Sequence, residues 1–204
     1  MTIGPIVSIA ALLASALPAL AADPLTELVP VRPGASACFQ RSYDAAHLKQ
    51  HPRQTVRSVL LSLRRESKHP DSVVLRISFA DKRRPEAALV GGWCGWRQSG
   101  VNRGEHTRRL VPSFPKESGL QCQSLSFWDL SGEDASLFPI NLDPGGRWLT
   151  AYMRESVSLW TGAFTPEPPV LRLGTDDRVF RLERVDASTC AALERAIPDP
   201  GRPD

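Results

Sequence analysis

The sequence contains no Cys-x-x-Cys pair, no His-Glu-x-x-His, no Gly-x-Ser-x-Gly and no glycine loop closed by Lys-Ser/Thr. The first absence argues against zinc at the cysteines, because structural zinc sites draw on closely spaced thiolates. The second removes the usual helix-borne metalloprotease pair. The third removes the nucleophile elbow of the α/β hydrolases. A Ser-His-Asp triad assembled in space needs no motif and stays open. Gly91-Gly92-Trp93-Cys94-Gly95-Trp96 is glycine-rich but lacks the lysine of a phosphate loop. Its glycines are read as permitting close backbone approach. Helix-period segments longer than about ten residues are missing beyond residue 22. So is any later apolar run long enough to span a bilayer. No internal repeat is evident.

What is present begins with an apolar run, Ile6 to Leu17, followed by Pro18 and Ala19-Leu20-Ala21-Ala22-Asp23. This is the layout of a cleaved secretory signal, with the cut expected after Ala21 and residues 1–21 removed. The stretch before the run has no Lys or Arg, only the amino terminus. All four cysteines (Cys38, Cys94, Cys122, Cys190) lie downstream. In an oxidising compartment they read as two disulfides. Cys94 ends one predicted strand and Cys122 opens another, whereas Cys38 and Cys190 sit near the ends of the domain. The expected pairing is therefore Cys94–Cys122 with Cys38–Cys190.

Residues 22–36 carry Pro24, Pro30, Pro33 and Gly34 and read as an irregular arm. A single β-rich domain is expected over 37–196, and a disordered tail over 197–204. Val73, Leu75, Ile77 and Phe79 alternate with Val74, Arg76 and Ser78, the period of a strand. Val59, Leu61 and Leu63 repeat the pattern in the strand before it. Further strands are predicted at 37–43, 87–93, 107–112, 120–129, 136–142, 147–153, 156–163, 169–173 and 178–184. Asp44 is placed to cap a short helix over 45–50, and Asp186 another near 187–196. The fold class is all-β, mainly antiparallel, either a barrel or a two-sheet sandwich.

Formal net charge is +3, too small by itself to imply nucleic-acid binding. Its distribution is uneven: residues 53–109 are predominantly basic and residues 110–204 predominantly acidic. The plain explanation is that the two halves pair across one fold as solvated surface. The sharper one is a basic face for an anionic envelope component or envelope protein. Its members would be Arg64, Arg65, Lys68, Lys82, Arg83 and Arg84, in two turns brought close in space. His47 and His51 share a helix face and are weak metal candidates. The five tryptophans (Trp93, Trp96, Trp128, Trp148, Trp160) are expected mostly in the core; the sharper reading is an aromatic surface for sugar rings or peptide, with Trp96, exposed on a loop, as its binding candidate. The carboxylate pairs Glu133-Asp134 and Asp176-Asp177 fall in turns and read as solvated.

Cys38-Phe39, Tyr43-Asp44-Ala45-Ala46-His47-Leu48, His51-Pro52 and Asp177-Arg178-Val179-Phe180-Arg181-Leu182 together resemble short, exported, uncharacterised bacterial proteins. The resemblance covers the two ends of the domain and implies export and the Cys38–Cys190 closure. It brings no activity, ligand or catalytic residue. The expectation is a non-enzymatic periplasmic or secreted binding domain without cofactor. Two alternatives are an inhibitor of a cell-wall hydrolase or protease, presenting the loop Gln98 to Glu105, and a metal-dependent enzyme using His47 and His51.

Overall fold

A computed structural model of the chain describes residues 24–65, 72–97, 119–124, 137–162 and 168–198. Eight antiparallel strands close into a barrel: β1 (Ser36–Ser42), β2 (Val56–Arg65), β3 (Ser72–Asp81), β4 (Ala88–Arg97), β5 (Gly119–Ser124), β6 (Leu137–Leu142), β7 (Trp148–Tyr152) and β10 (Val179–Val185). β1 through β7 follow each other as neighbours. A separate two-stranded sheet, β8 (Ser156–Ser158) with β9 (Val170–Arg172), intervenes before β10 returns between β7 and β1. The barrel thus resolves the choice between barrel and sandwich. It does so because β1 pairs on both flanks, with β2 and with β10.

Alternation decides what fills it. Phe39, Leu61, Leu63, Leu75, Ile77, Phe79, Val90, Leu120, Ile140, Leu149, Phe180 and Leu182 are buried in one cluster. An eight-stranded barrel is just wide enough for such side chains to pack its interior. Cys94 and Cys122 stand opposite each other on β4 and β5 with Cα atoms 4.0 Å apart, and their bridge joins this core. Two residues earlier on β4, at Gly92, an added Cβ would lie 2.2 Å from the backbone oxygen of Gln123. The close approach expected of this glycine-rich strand is real there.

The arm before β1 differs from expectation. Pro24–Leu28 forms a helical turn, α1, and Leu25, Leu28 and Val29 are buried in the core cluster. The apolar residues recur at i, i+3 and i+4, which puts them on one face. Proline at the first helical position costs the turn nothing, since that N–H has no intrahelical partner. The far end also differs. After Asp186, whose carboxylate accepts from Ser188 N at 2.8 Å, a 3-10 turn (Ala187–Cys190) leads into a short helix, α3 (Ala191–Ala196). Ile197, expected in the tail, is buried, and its carbonyl accepts from Arg76 Nε at 2.6 Å. The Cys38–Cys190 bridge fastens this segment to β1, with no free cysteine left. Two disulfides point to an oxidising, extracytoplasmic compartment. Among the described residues no helix is long and apolar enough to cross a membrane.

Candidate functional site

Of the six basic residues expected to form one face, the five that are described fall into two groups separated along the barrel. Arg64 and Arg65 end β2, whereas Lys82, Arg83 and Arg84 follow β3. In the β2–β3 register Arg65 faces Val73 and Val56 faces Asp81. The two groups are therefore a strand length apart, about 30 Å at 3.3 Å per residue. Most of them are also engaged. Arg65 is only 3% exposed and donates from Nε to the carbonyl of Val29, tying α1 to β2. Arg64 pairs with Glu194 at 2.7 Å. Arg83 forks onto Asp81 and also donates to the carbonyl of Arg172. Lys82 and Arg84 are exposed. Lys68 lies outside the described residues, as do His69, His106, Trp128, Glu133, Asp134, the predicted strand 107–112 and the loop 98–105. The ion pairs Arg64–Glu194 and Arg53–Asp176 join the basic half of the sequence to the acidic half, as the plain reading of the charge pattern requires.

Two further expectations are corrected. Asp177 is fully buried, not solvated. Its carboxylate accepts from Thr55 N (2.7 Å), Thr55 Oγ1 (2.8 Å), Val56 N (3.1 Å) and Gly174 N (3.3 Å). These donors replace the water it gives up. Trp96 is not a loop residue: it lies on β4, half-buried and packed against the core, in inward register with Val90 and Cys94. The tryptophans expected inside are half-exposed at Trp93, Trp148 and Trp160.

The residues that do converge lie where β1 and β10 part. Their register runs from Cys38↔Val185 through Phe39↔Arg184 to Gln40↔Glu183 and stops. Beyond it β1 stays with β2, the Tyr43 N–H donating to the carbonyl of Arg57 at 2.9 Å. The chain then enters α2 (Ala45–Gln50), capped as expected by Asp44, whose Oδ1 accepts from His47 N at 2.7 Å. β10 continues away alongside β7. A groove of about 400 Å³ occupies the gap. Ligand sites of small molecules begin at this size.

One wall is a column of rings. His47 stacks on Tyr43 (centroids 4.7 Å) and on His51 (4.4 Å), because i and i+4 share a helix face. His47 Nε2 lies 3.0 Å from Gln54 Oε1, while the Gln54 amide nitrogen donates to the carbonyl of Val56. That second bond fixes the amide orientation, so Oε1 accepts and Nε2 carries the hydrogen. The His47 and His51 ring planes differ by 29°. Among the described residues no group of three His, Cys, Asp or Glu stands together. Burial raises the Tyr43 hydroxyl above its ordinary pKa, opposed by the Arg41 charge and reinforced by Asp177, so it is a neutral phenol near neutral pH.

The opposite wall comes from outward positions of β7 and β10. The Arg181 guanidinium lies 4.6 Å from the Trp148 ring centroid, and Arg147 lies 5.5 Å from it. Arg41 sits over Tyr43 at 5.4 Å. Such contacts hold a guanidinium in place without neutralising it. Asp176 is the acid of the lining and already pairs with Arg53 at 3.2 Å. Val179, 45% exposed, adds an apolar spot.

Sequence reasoning singled out His47 and His51 but missed Arg41, Trp148 and Arg181. No local signal marks these three; only the strand register brings them together. No family model matches the sequence, and no match is found among curated proteins or solved structures.

Proposed function

We propose that the protein is an exported, non-enzymatic binding domain of the bacterial envelope, acting in the periplasm, which holds an anionic ligand in the groove between β1 and β10. The observation that carries this reading is the pair of guanidiniums, Arg41 and Arg181. Both line the groove, each is held over an aromatic ring, and neither has a carboxylate partner among the described residues. A guanidinium held in place over a ring presents its charge and its planar fork of donors to an anion in a fixed orientation, which a mobile surface lysine does not. The ring column adds stacking area beside the charge. Export is supported by the two bridges and by the leader-like start of the sequence.

The test is capture from envelope extract by the folded, oxidised protein. Arg41→Glu with Arg181→Glu is expected to abolish retention of the anionic partner, while Arg84→Glu, at an exposed turn outside the groove, leaves it unchanged. Equal retention by the groove variant would remove the groove as the binding surface.

A further inference from the structure

Among the described residues, the flank of β10 that lines the groove has no strand paired with it beyond Glu183. The hydrogen-bond phase of the strand follows from its two ends: Arg184 N donates to the carbonyl of Arg147, and the carbonyl of Arg178 accepts from Met153 N, both on the β7 side. Since backbone groups alternate sides along a strand, Phe180 and Leu182 also face β7. Val179, Arg181 and Glu183 therefore direct their N–H and C=O groups to the other side. Glu183 meets Gln40 there. Continuing the register, Arg181 would meet Ser42, but no pair forms, because β1 has turned toward α2. A barrel otherwise abolishes exposed edges; this one keeps a short edge inside the groove lined by Arg41 and Arg181.

Resting on the binding function proposed above, we infer that the groove receives an extended acidic peptide segment as an added strand along Val179–Leu182 of β10. The backbone groups of Val179 and Arg181 pair with the peptide backbone, the mode of β-strand addition. Arg41 and Arg181 meet its carboxylates. Charge selects the occupant: Asp176 is neutralised by Arg53, so the groove's unneutralised fixed charges are cationic. The open stretch is four residues, about 13 Å of extended chain, which suits a short segment of a partner protein.

The experiment uses the oxidised protein labelled with 15N. In the free protein the amides of Val179 and Arg181 are expected to exchange with solvent about a hundredfold faster than those of Phe180 and Leu182. The probe is acetyl-(Glu-Val)3-amide. It is expected to protect both amides. N-methylation of one alternate set of its residues should weaken binding about tenfold or more, and methylation of the other set should not, since only one set faces β10. Val179→Pro removes a donor that does not serve β7, so the barrel should stay folded while peptide binding falls. Equal protection of all four amides in the free protein would overturn the inference. So would unchanged affinity of both methylated peptides. Polygalacturonate binding in an Arg41- and Arg181-dependent way, with the peptide failing to bind, refutes strand addition and leaves the anion-binding groove standing. Failure of both probes counts against both readings.

Discussion

Asp177 holds together three pieces of chain that are far apart in sequence: the turn before β10, the start of β2 through Thr55 and Val56, and, through Thr55, Asp81 at the end of β3. Removing a charged acceptor leaves buried donors unpaired. Asp177→Ala is expected to cost about 3 kcal/mol in urea unfolding, and Asp177→Asn less, since the amide oxygen still accepts. The turn also demands its glycine: a Cβ at Gly174 would lie 2.3 Å from the carbonyl oxygen of Arg53. Asp81 gives the pH prediction. Burial alone would raise its carboxyl, but hydrogen bonds from the Arg83 side chain and backbone and from Thr55, with the Arg83 charge, hold it below the usual carboxylate range. A carboxyl depressed in the folded state stabilises fully above its unfolded value, and this is lost as pH falls through the folded value. Stability should therefore decline below about pH 4, and Asp81→Asn should flatten that limb while lowering stability at neutral pH. None of this was legible locally. Asp176 and Asp177 are neighbours in one turn, and only a donor set 122 residues away separates a surface ion pair from a buried latch.

At the scale of elements, alternation was informative wherever one face of a strand is core. β3 and β10 lie within a residue or two of their predicted spans for that reason. The caps at Asp44 and Asp186 were readable too, since capping is a local transaction between one side chain and one nearby N–H. α1 was not, although Leu25, Leu28 and Val29 carry helical spacing. Prolines on either side look like loop, and five residues make no periodicity visible against them. Its weight in the fold can be measured. Leu25→Ala removes a fully buried side chain and should cost about 3 kcal/mol. A loss under about 0.5 kcal/mol would mean the turn is decoration, as an exposed position would give.

At the scale of the molecule, the choice between barrel and sandwich could not be made from sequence, because closure rests on one long-range pairing, β1 with β10. The cysteine pairing could be anticipated, because one bridge joins neighbouring strands and the other joins the ends of the domain. Their loops differ, 28 residues for Cys94–Cys122 and 152 for Cys38–Cys190. In the chain-entropy model these correspond to about 3.5 and about 5 kcal/mol. Paired alanine substitution at Cys38 and Cys190 should therefore lower the denaturant midpoint more than the same change at Cys94 and Cys122. The groove was half legible: its histidines stood out, and its arginines did not, because an arginine on a strand says nothing about what the neighbouring strand will bring beside it. The nested order of the bridges, first cysteine with last and second with third, bears on biogenesis. If the chain is exported amino terminus first, as proposed, Cys38 and Cys94 meet an oxidase long before Cys190 arrives. The earliest crosslink available is then a wrong one, and maturation in cells should slow sharply when disulfide isomerase, as distinct from oxidase, is withdrawn.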